Sequence, residues 1–228
     1  MLYKPTIGDQ LSGSIGGITA SRNRSGGYFR RRGLPVNPGT PQQEFVRGTM
    51  ADLASRWREV LTPAERDGWD SYAAATPMPN RIGDSHEVNG LAMYVRGNLA
   101  RIQAGFLRID AAPIESGLPP LTVPSIEDVD ATAGTADIGF ESGDGWANEV
   151  GGALLVYASR PKAPSINFFK GPYRLSGSIA GAGIAPSSPA TLTLPFSVQI
   201  GQRVFFRFVA VTADGRATDP IRDFRLAT

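Results

Sequence analysis

The hydrophobic pattern of this chain changes its period once, and that change limits the folds the chain can adopt. Within residues 40–112, apolar side chains recur every three or four residues, which is typical of amphipathic helices. Beyond residue 124 they alternate with a period of two, which is typical of strands. The intervening residues 113–124 contain four prolines, so they predict a linker.

The first 39 residues follow neither period. They contain eight glycines and too few apolar side chains to form a core of their own. A length of 228 residues is enough for two ordinary domains. The sequence therefore predicts an α+β multidomain fold with an extended basic arm (1–39), a small helical bundle (40–112), a linker (113–124) and a C-terminal antiparallel β-sandwich (125–228).

Start and stop signals predict three helices. Thr40 and Thr62 each precede a proline, and each stands three residues before a glutamine or glutamate, which is the spacing of a capping box. Asp84, with a glutamate three residues later, predicts the start of the third helix, and Gly105 predicts its end. His86 has no second metal ligand or nucleophile nearby, so we interpret it as a helix-entry residue.

The helical period also predicts which side chains are buried. The first helix should bury the stripe Val46, Met50, Leu53, Trp57 and Val60. The second, which should run to about Ala75, is predicted to bury Trp69, Tyr72 and Ala73. The third should bury Val88, Leu91, Val95, Leu99 and Ile102. The aromatic rings predicted to fill the bundle core are those of Trp57, Trp69 and Tyr94.

Short alternating segments predict the strands of the C-terminal region. They are residues 136–140, 153–158, 173–179, 190–196, 203–212 and 221–226. Clusters of Gly, Pro, Asn, Asp or Ser separate them. Six or seven strands in roughly 105 residues fit an immunoglobulin-like or fibronectin-type sandwich.

Positive charge is concentrated in the arm. Six basic residues oppose one aspartate within residues 1–39, a balance of +5, whereas residues 40–112 carry −1 and residues 113–228 carry −2. A cationic segment on a nearly neutral protein is typical of one that binds nucleic acid or an acidic protein surface. The predicted partner-binding residues are Arg22, Arg24, Tyr28, Phe29, Arg30, Arg31 and Arg32.

The glycine content of the arm predicts that neighbouring molecules order it. An alternative is that the arm folds back as a hairpin. Ile15, Ile18 and Ala20 alternate around Gly16 and Gly17, which is the pattern of two strands joined by a tight turn.

Several classes of enzyme and metal site find no support in the sequence. There are no cysteines and only one histidine, and neither phosphate-binding glycine motif occurs. Asp128, Asp130, Asp137 and Asp144 lack the spacing of a calcium loop and are interpreted as turn residues. We therefore predict a protein without catalytic activity, cofactor or metal. No membrane span or secretion signal is recognised, so synthesis in the cytosol is expected.

Two resemblances extend these predictions. Trp146, the segment ALLVYASRP and the later segment FFRFVAVTADGR resemble fibronectin type III modules. The run GGYFRRRGLPVNPGTPQQ, followed by helices containing Trp57 and Trp69, is similar to uncharacterised structural proteins of tailed bacteriophages. That similarity rests on Gly27, Tyr28, Arg30, Pro35, Asn37, Pro38, Thr40 and Gln43.

The second resemblance implies a component of the virion, in the head, connector or tail, that is assembled in the host cytoplasm. Its partners would be other virion proteins within an oligomeric assembly, with packaged DNA as a further contact of the arm. The alternative function is a nucleic-acid-binding protein, because the run RNRSGGYFRRR combines five arginines with two aromatic rings.

Overall fold

The computed structural model describes residues 2–3, 12–24, 26–33, 39–79 and 84–228. They combine helices with several antiparallel sheets. The chain divides into two compact units, Met1–Glu44 and Phe45–Thr228, here called the N-terminal and C-terminal units. In the described ranges, no helix is long and apolar enough to cross a membrane.

The described part of the N-terminal unit contains a four-stranded antiparallel sheet. Its strands are β1 (Leu2–Tyr3), β2 (Gly13–Ile15), β3 (Ile18–Asn23) and β4 (Gly26–Arg31), in the order β1-β4-β3-β2. Gly16, with a φ of 58°, and Gly17 form the turn between β2 and β3, as the alternation predicted. The hairpin that the sequence offered as an alternative for this arm is therefore present within the sheet. Cross-strand hydrogen bonds organise the segment despite its glycines.

The first helix, α1 (Pro41–Glu59), begins at the predicted cap. The Thr40 Oγ1 accepts a hydrogen bond from the Gln43 N–H, and the Thr40 N–H donates to the Gln43 side chain, both at 3.4 Å. The predicted stripe is only partly correct. Leu53 is buried, but Met50 and Val60 are exposed.

The second helix, α2 (Pro63–Ala75), follows the prediction closely. Thr62 and Glu65 form the reciprocal capping box, in which the Thr62 N–H donates to the Glu65 carboxylate at 2.7 Å. Trp69, Tyr72 and Ala73 are buried, as predicted. The ring of Trp69 lies 5.5 Å from that of Tyr94, and the two form the centre of the helical core.

The third helix, α3 (Gly90–Gln103), begins later than predicted. Its cap is Asn89, whose side chain accepts a hydrogen bond from the Ala92 N–H at 2.9 Å. The predicted start at Asp84 is wrong because β6 (Ser85–His86) pairs with β5 (Met78–Pro79) and keeps the backbone extended. His86 is consequently a strand residue and not a helix-entry residue.

The predicted end of α3 is confirmed, whereas its predicted buried face is only partly correct. Gly105 adopts a φ of 89° after the last turn, as the predicted stop requires. The fully buried face instead includes Met93, Tyr94, Asn98 and Arg101, while the predicted apolar residues are partly buried or less. Polar and small residues therefore occupy much of the buried side.

The remaining strands form two further antiparallel sheets. They are β7 (Ser125–Asp130), β8 (Thr135–Gly139), β9 (Ala153–Ser159), β10 (Tyr173–Ala180), β11 (Ala190–Thr193), β12 (Arg203–Val211) and β13 (Ile221–Leu226). One sheet has the order β11-β8-β7 and the other β10-β9-β12-β13. Sequence analysis missed β7, since acidic residues interrupt its alternation, although Ile126 and Val129 are buried.

Side chains from these two sheets meet in one hydrophobic core. Val129 and Ile138 come from the three-stranded sheet, and Val156, Phe206 and Phe208 come from the four-stranded sheet. Trp146, from a short 3-10 helix at Gly145–Ala147, is also buried there. Its indole packs 5.2 Å from the ring of Phe140.

The helical and β-segments both lie in the C-terminal unit, and the predicted domain boundaries within it stay a prediction. The predicted linker 113–124 is irregular, yet Leu118 packs on the helical core and Leu121 on the β core. Helix α3 covers part of the outer face of the four-stranded sheet, where Ala100 joins Leu155 and Val211. The prolines therefore belong to a packed connection.

Arg101 fastens α3 to the loops of that sheet. Its side chain is buried, and its Nη1 donates to the carbonyls of Gly151, Thr212 and Ala213 at 3.1, 3.1 and 2.7 Å. Burial lowers the pKa of Arg101, and the nearby Glu149 carboxylate opposes that effect. All three acceptors lie within two residues of the start of β9 or the end of β12, so Arg101 helps to hold α3 against the sheet.

Candidate partner-binding surface

The predicted binding residues lie on, or directly after, the two central strands of the N-terminal sheet, β3 and β4. Arg22 lies on β3, and Tyr28, Phe29, Arg30 and Arg31 lie on β4. Arg24 follows β3 in the connection to β4. Arg32 follows β4, and its N–H donates to the carbonyl of Gly17 at 2.8 Å. The sequence predicted one basic patch, whereas the sheet gives these residues two faces.

Strand register assigns each side chain to a face. Directly paired residues of antiparallel strands share a face, and successive residues alternate. Ile15 pairs with Ile18 and Ile18 with Arg31, so these three side chains stand in one row. Ala20 and Phe29 form the next row, and Arg22 lies beyond them on the same side. We call Ile15, Ile18, Ala20, Arg22, Phe29 and Arg31 the cationic-apolar face.

The opposite face is polar. Thr19 pairs with Ser14 and with Arg30, and Ser21 pairs with Tyr28. The hydroxyls of Ser14 and Thr19 are 2.7 Å apart and form a hydrogen bond across the strands. Tyr28 and Arg30 are therefore separated from Phe29 and Arg31 by the thickness of the sheet.

The arginines of this sheet lack carboxylate partners within the described part of the chain. Among the described residues, Arg56, Arg96 and Arg216 of the C-terminal unit form ion pairs with described acids. None of Arg22, Arg24, Arg30, Arg31 or Arg32 forms an ion pair with a described acid. No described carboxylate therefore neutralises the charges of these five arginines.

The described side chains of β2, β3 and β4 are not buried. Within residues 12–24 and 26–33, every side chain is exposed or half-buried. Ile15 is 90% exposed and Ile18 is 53% exposed. A small sheet gains most of its stability by burying one face against another element. In the sequence the two isoleucines indicate only a hairpin, and their exposure in the sheet makes them candidates for binding.

Acidic residues of the C-terminal segment accept hydrogen bonds that support turns and loops. Asp130 accepts hydrogen bonds from the N–H groups of Thr132 and Ala133 at 2.7 and 2.8 Å. Asp144 accepts from the hydroxyl of Thr122 at 2.8 Å. Glu149 accepts from the Ala213 N–H at 2.9 Å. Across the described ranges, no three His, Cys, Asp or Glu side chains are grouped to hold a metal ion.

Comparison with protein-family models, with curated proteins and with solved structures gave no match to this chain.

Proposed function

We propose that this chain is a non-enzymatic structural component of a tailed-bacteriophage particle, associated with its head, connector or tail. Its N-terminal sheet docks on an acidic surface of a neighbouring virion protein. The single observation that carries this proposal is the cationic-apolar face, where exposed isoleucines stand beside arginines that form no ion pair with any described acid. The similarity of the GGYFRRRGLPVNPGTPQQ segment to phage structural proteins supplies the biological setting.

The composition of this face favours a protein partner. Aromatic residues and arginine are enriched in the cores of protein interfaces, where apolar groups lose their water. Ile15 and Ile18 would gain from burial against apolar side chains, and phosphates offer none. Arg22 and Arg31, about 13 Å apart along the strands, would then bind carboxylates at two ends of the contact.

We also propose that residues 125–228 form a fibronectin type III or immunoglobulin-like module. Its first, second and fifth strands share one sheet, and its third, fourth, sixth and seventh share the other. This distribution supports the proposal, since two antiparallel sheets around one core are the architecture of such modules. The module would project from the particle or bridge to the next protein.

The second candidate function is nucleic-acid binding. Tyr28 and Arg30 share the polar face, so a base could stack on the ring while the guanidinium binds a phosphate. The balance of +5 in residues 1–39 would add sequence-independent attraction.

Limited proteolysis of the full chain separates the two candidates. The segment 1–39 is digested alone, with particles assembled from co-expressed proteins of adjacent genes, and with duplex DNA at about 50 and about 200 mM salt. We expect protection by the assembled proteins and none by DNA. Protection by DNA alone, lost steeply at the higher salt, would support nucleic-acid binding and contradict the proposal.

A matched pair of charge reversals tests which face binds. Arg31→Glu alters the cationic-apolar face, and Arg30→Glu alters the polar face one residue away. We expect Arg31→Glu to abolish incorporation into particles and Arg30→Glu to leave it nearly unchanged. Equal loss in both variants would contradict a docking surface on one face, because phosphate attraction depends on charge and little on the face that carries it.

A further inference from the structure

A second candidate binding site, independent of the N-terminal sheet and of the proposed function, lies on the four-stranded sheet of the C-terminal unit. On its outer face, one row crosses all four strands: Leu175, Tyr157, Arg207 and Arg222 are successive partners in the register. Helix α3 covers the sheet next to this row, where Ala100 packs with Leu155 and Val209. Arg207 therefore lies at the edge of the sheet area that α3 covers.

A cavity of about 310 Å³ opens between α3 and this row. Its apolar walls come from Val46, Leu99, Ala100, Val209, Ala217 and Pro220. Its polar groups come from Arg96, Gln103, Tyr157, Arg207 and Thr218. The Tyr157 hydroxyl donates to the Gln103 side chain at 2.7 Å, which fixes the ring on one side of the cavity. This size and this mixture of walls are typical of sites for small organic ligands.

The cationic groups of the cavity are incompletely satisfied. The guanidinium of Arg207 lies 5.3 Å from the centre of the Tyr157 ring, and it forms no hydrogen bond or ion pair with any described residue. Its Nε is buried. Arg96 donates through Nη2 to the Thr218 carbonyl at 2.7 Å and to Asp219 at 3.1 Å, but its own Nε is buried without an acceptor.

The charge around the cavity is positive. Arg96, Arg207 and Arg222 contribute three positive charges, and Asp219, which is paired with Arg96, contributes one negative charge. Burial lowers the pKa of Arg207, and the neighbouring cations Arg222 and Arg96 lower it further. Arginine nevertheless keeps its proton in proteins, so the positive charge remains. Arg207 is half-buried, and its buried Nε has no described acceptor, so an incoming anion would supply a hydrogen-bond acceptor and a counter-charge that the described residues do not.

We propose that this cavity binds a carboxylate carried on an apolar body, with the carboxylate at Arg207 and the body against the walls formed by α3. A guanidinium presents parallel N–H donors that match the two oxygens of a carboxylate. The walls favour an aliphatic or aromatic substituent, which a free phosphate lacks. The carboxylate comes either from a small organic acid or from the C-terminus of a polypeptide.

Titration calorimetry of the full chain tests this proposal with benzoate, its neutral analogue benzamide, and inorganic phosphate. We expect saturable binding of benzoate and at least about tenfold weaker binding of the other two. Equal binding of benzoate and benzamide, tighter binding of phosphate, or no saturable binding of benzoate would each overturn the proposal.

Variants locate the site. Arg207→Met and Arg207→Gln each remove the charge and keep a similar length, and both should lose benzoate binding. Arg174→Met is the matched control, since Arg174 lies on the same sheet, also over an aromatic ring, but outside the cavity. Circular dichroism checks that each variant is folded. If either folded Arg207 variant keeps full affinity, the assignment is wrong.

A pair of peptides identifies the source of the carboxylate. One peptide ends in a free phenylalanine carboxylate, and the other is amidated at that position. Binding of the free form alone would indicate a polypeptide C-terminus. Binding of benzoate without either peptide would indicate a small organic acid, and both results agree with a carboxylate site. Equal binding of the two peptides, unaffected by Arg207→Met, would contradict it.

Discussion

Replacing Gly97 by alanine tests how closely α3 approaches the β-segment. A Cβ at Gly97 would lie only 2.0 Å from the Gly215 carbonyl oxygen and 3.1 Å from its carbon. Ordinary contacts of a Cβ are about 3.4 Å or longer, so the helix or the loop must shift by more than an ångström. Gly215 has little room to shift, because a φ of 89° and the side chain of Ile109 confine it.

Two opposing effects determine the magnitude. Alanine is favoured over glycine by about 1 kcal/mol within a helix. Overpacking a well-filled contact costs about 1 to 3 kcal/mol, and a clash with backbone should lie at or above the upper end. We therefore expect Gly97→Ala to lower the free energy of unfolding by about 2 kcal/mol or more.

Gly48→Ala is the matched control. Gly48 lies within α1, and a Cβ there would meet no atom within 4 Å. Only the helix preference acts, so this variant should gain about 0.5 to 1 kcal/mol. The two substitutions are chemically identical, so their opposite effects on stability would be due to the different surroundings of the two glycines.

Urea unfolding of the full chain, followed by tryptophan fluorescence, measures both variants. All three tryptophans lie in the C-terminal unit, so the signal reports the unit that contains both glycines. An unchanged or increased stability of Gly97→Ala, with the slope of the transition unaltered, would refute the close approach of Gly97 and Gly215.

Three further predictions concern the helical core. Trp69→Ala should lower the free energy of unfolding by about 3 to 5 kcal/mol, because the ring is fully buried and its Nε1 donates to the Asp110 carbonyl at 2.8 Å. Trp57 is only half-buried, so Trp57→Ala should cost roughly half as much. Thermal unfolding compares the two variants, and equal costs would contradict the assigned burial. The hydrogen bond from Arg56 lowers the pKa of Asp110 in the folded state. The stability that the ionised Asp110 contributes is therefore complete above the pKa of the unfolded state, about 3.9, and is lost as pH falls through the lower pKa of the folded state. Asp110→Asn should flatten this acid limb in pH-dependent urea unfolding, and an unchanged limb would count against the pair. Burial raises the pKa of Tyr94 to about 12, so the stability that the protonated Tyr94 contributes is complete below about pH 10 and is lost as pH rises towards 12. Tyr94→Phe should remove this loss of stability at alkaline pH. A loss that persists in the variant would show that another group causes it.

Local signals in the sequence predicted most helix ends correctly. Thr40, Thr62 and Gly105 act through hydrogen bonds or backbone conformation within one turn, so no distant residue is needed to interpret them. The helix start predicted at Asp84 is wrong for a non-local reason. The segment 85–86 pairs with 78–79, and this pairing holds the backbone extended until the next available cap at Asn89.

The candidate sites were likewise only partly predictable from the sequence. The sequence shows that the first 39 residues are cationic and that apolar and polar residues alternate in the C-terminal strands, because charge and period are properties of neighbouring residues. Only strand register separated Arg30 from Arg31 and placed Arg31 beside Ile18. Only the packing of α3 on the sheet places Arg207 beside a cavity, where none of the described residues accepts a hydrogen bond from its guanidinium. Those positions depend on residues far apart in the chain, and no local pattern encodes the distance between them.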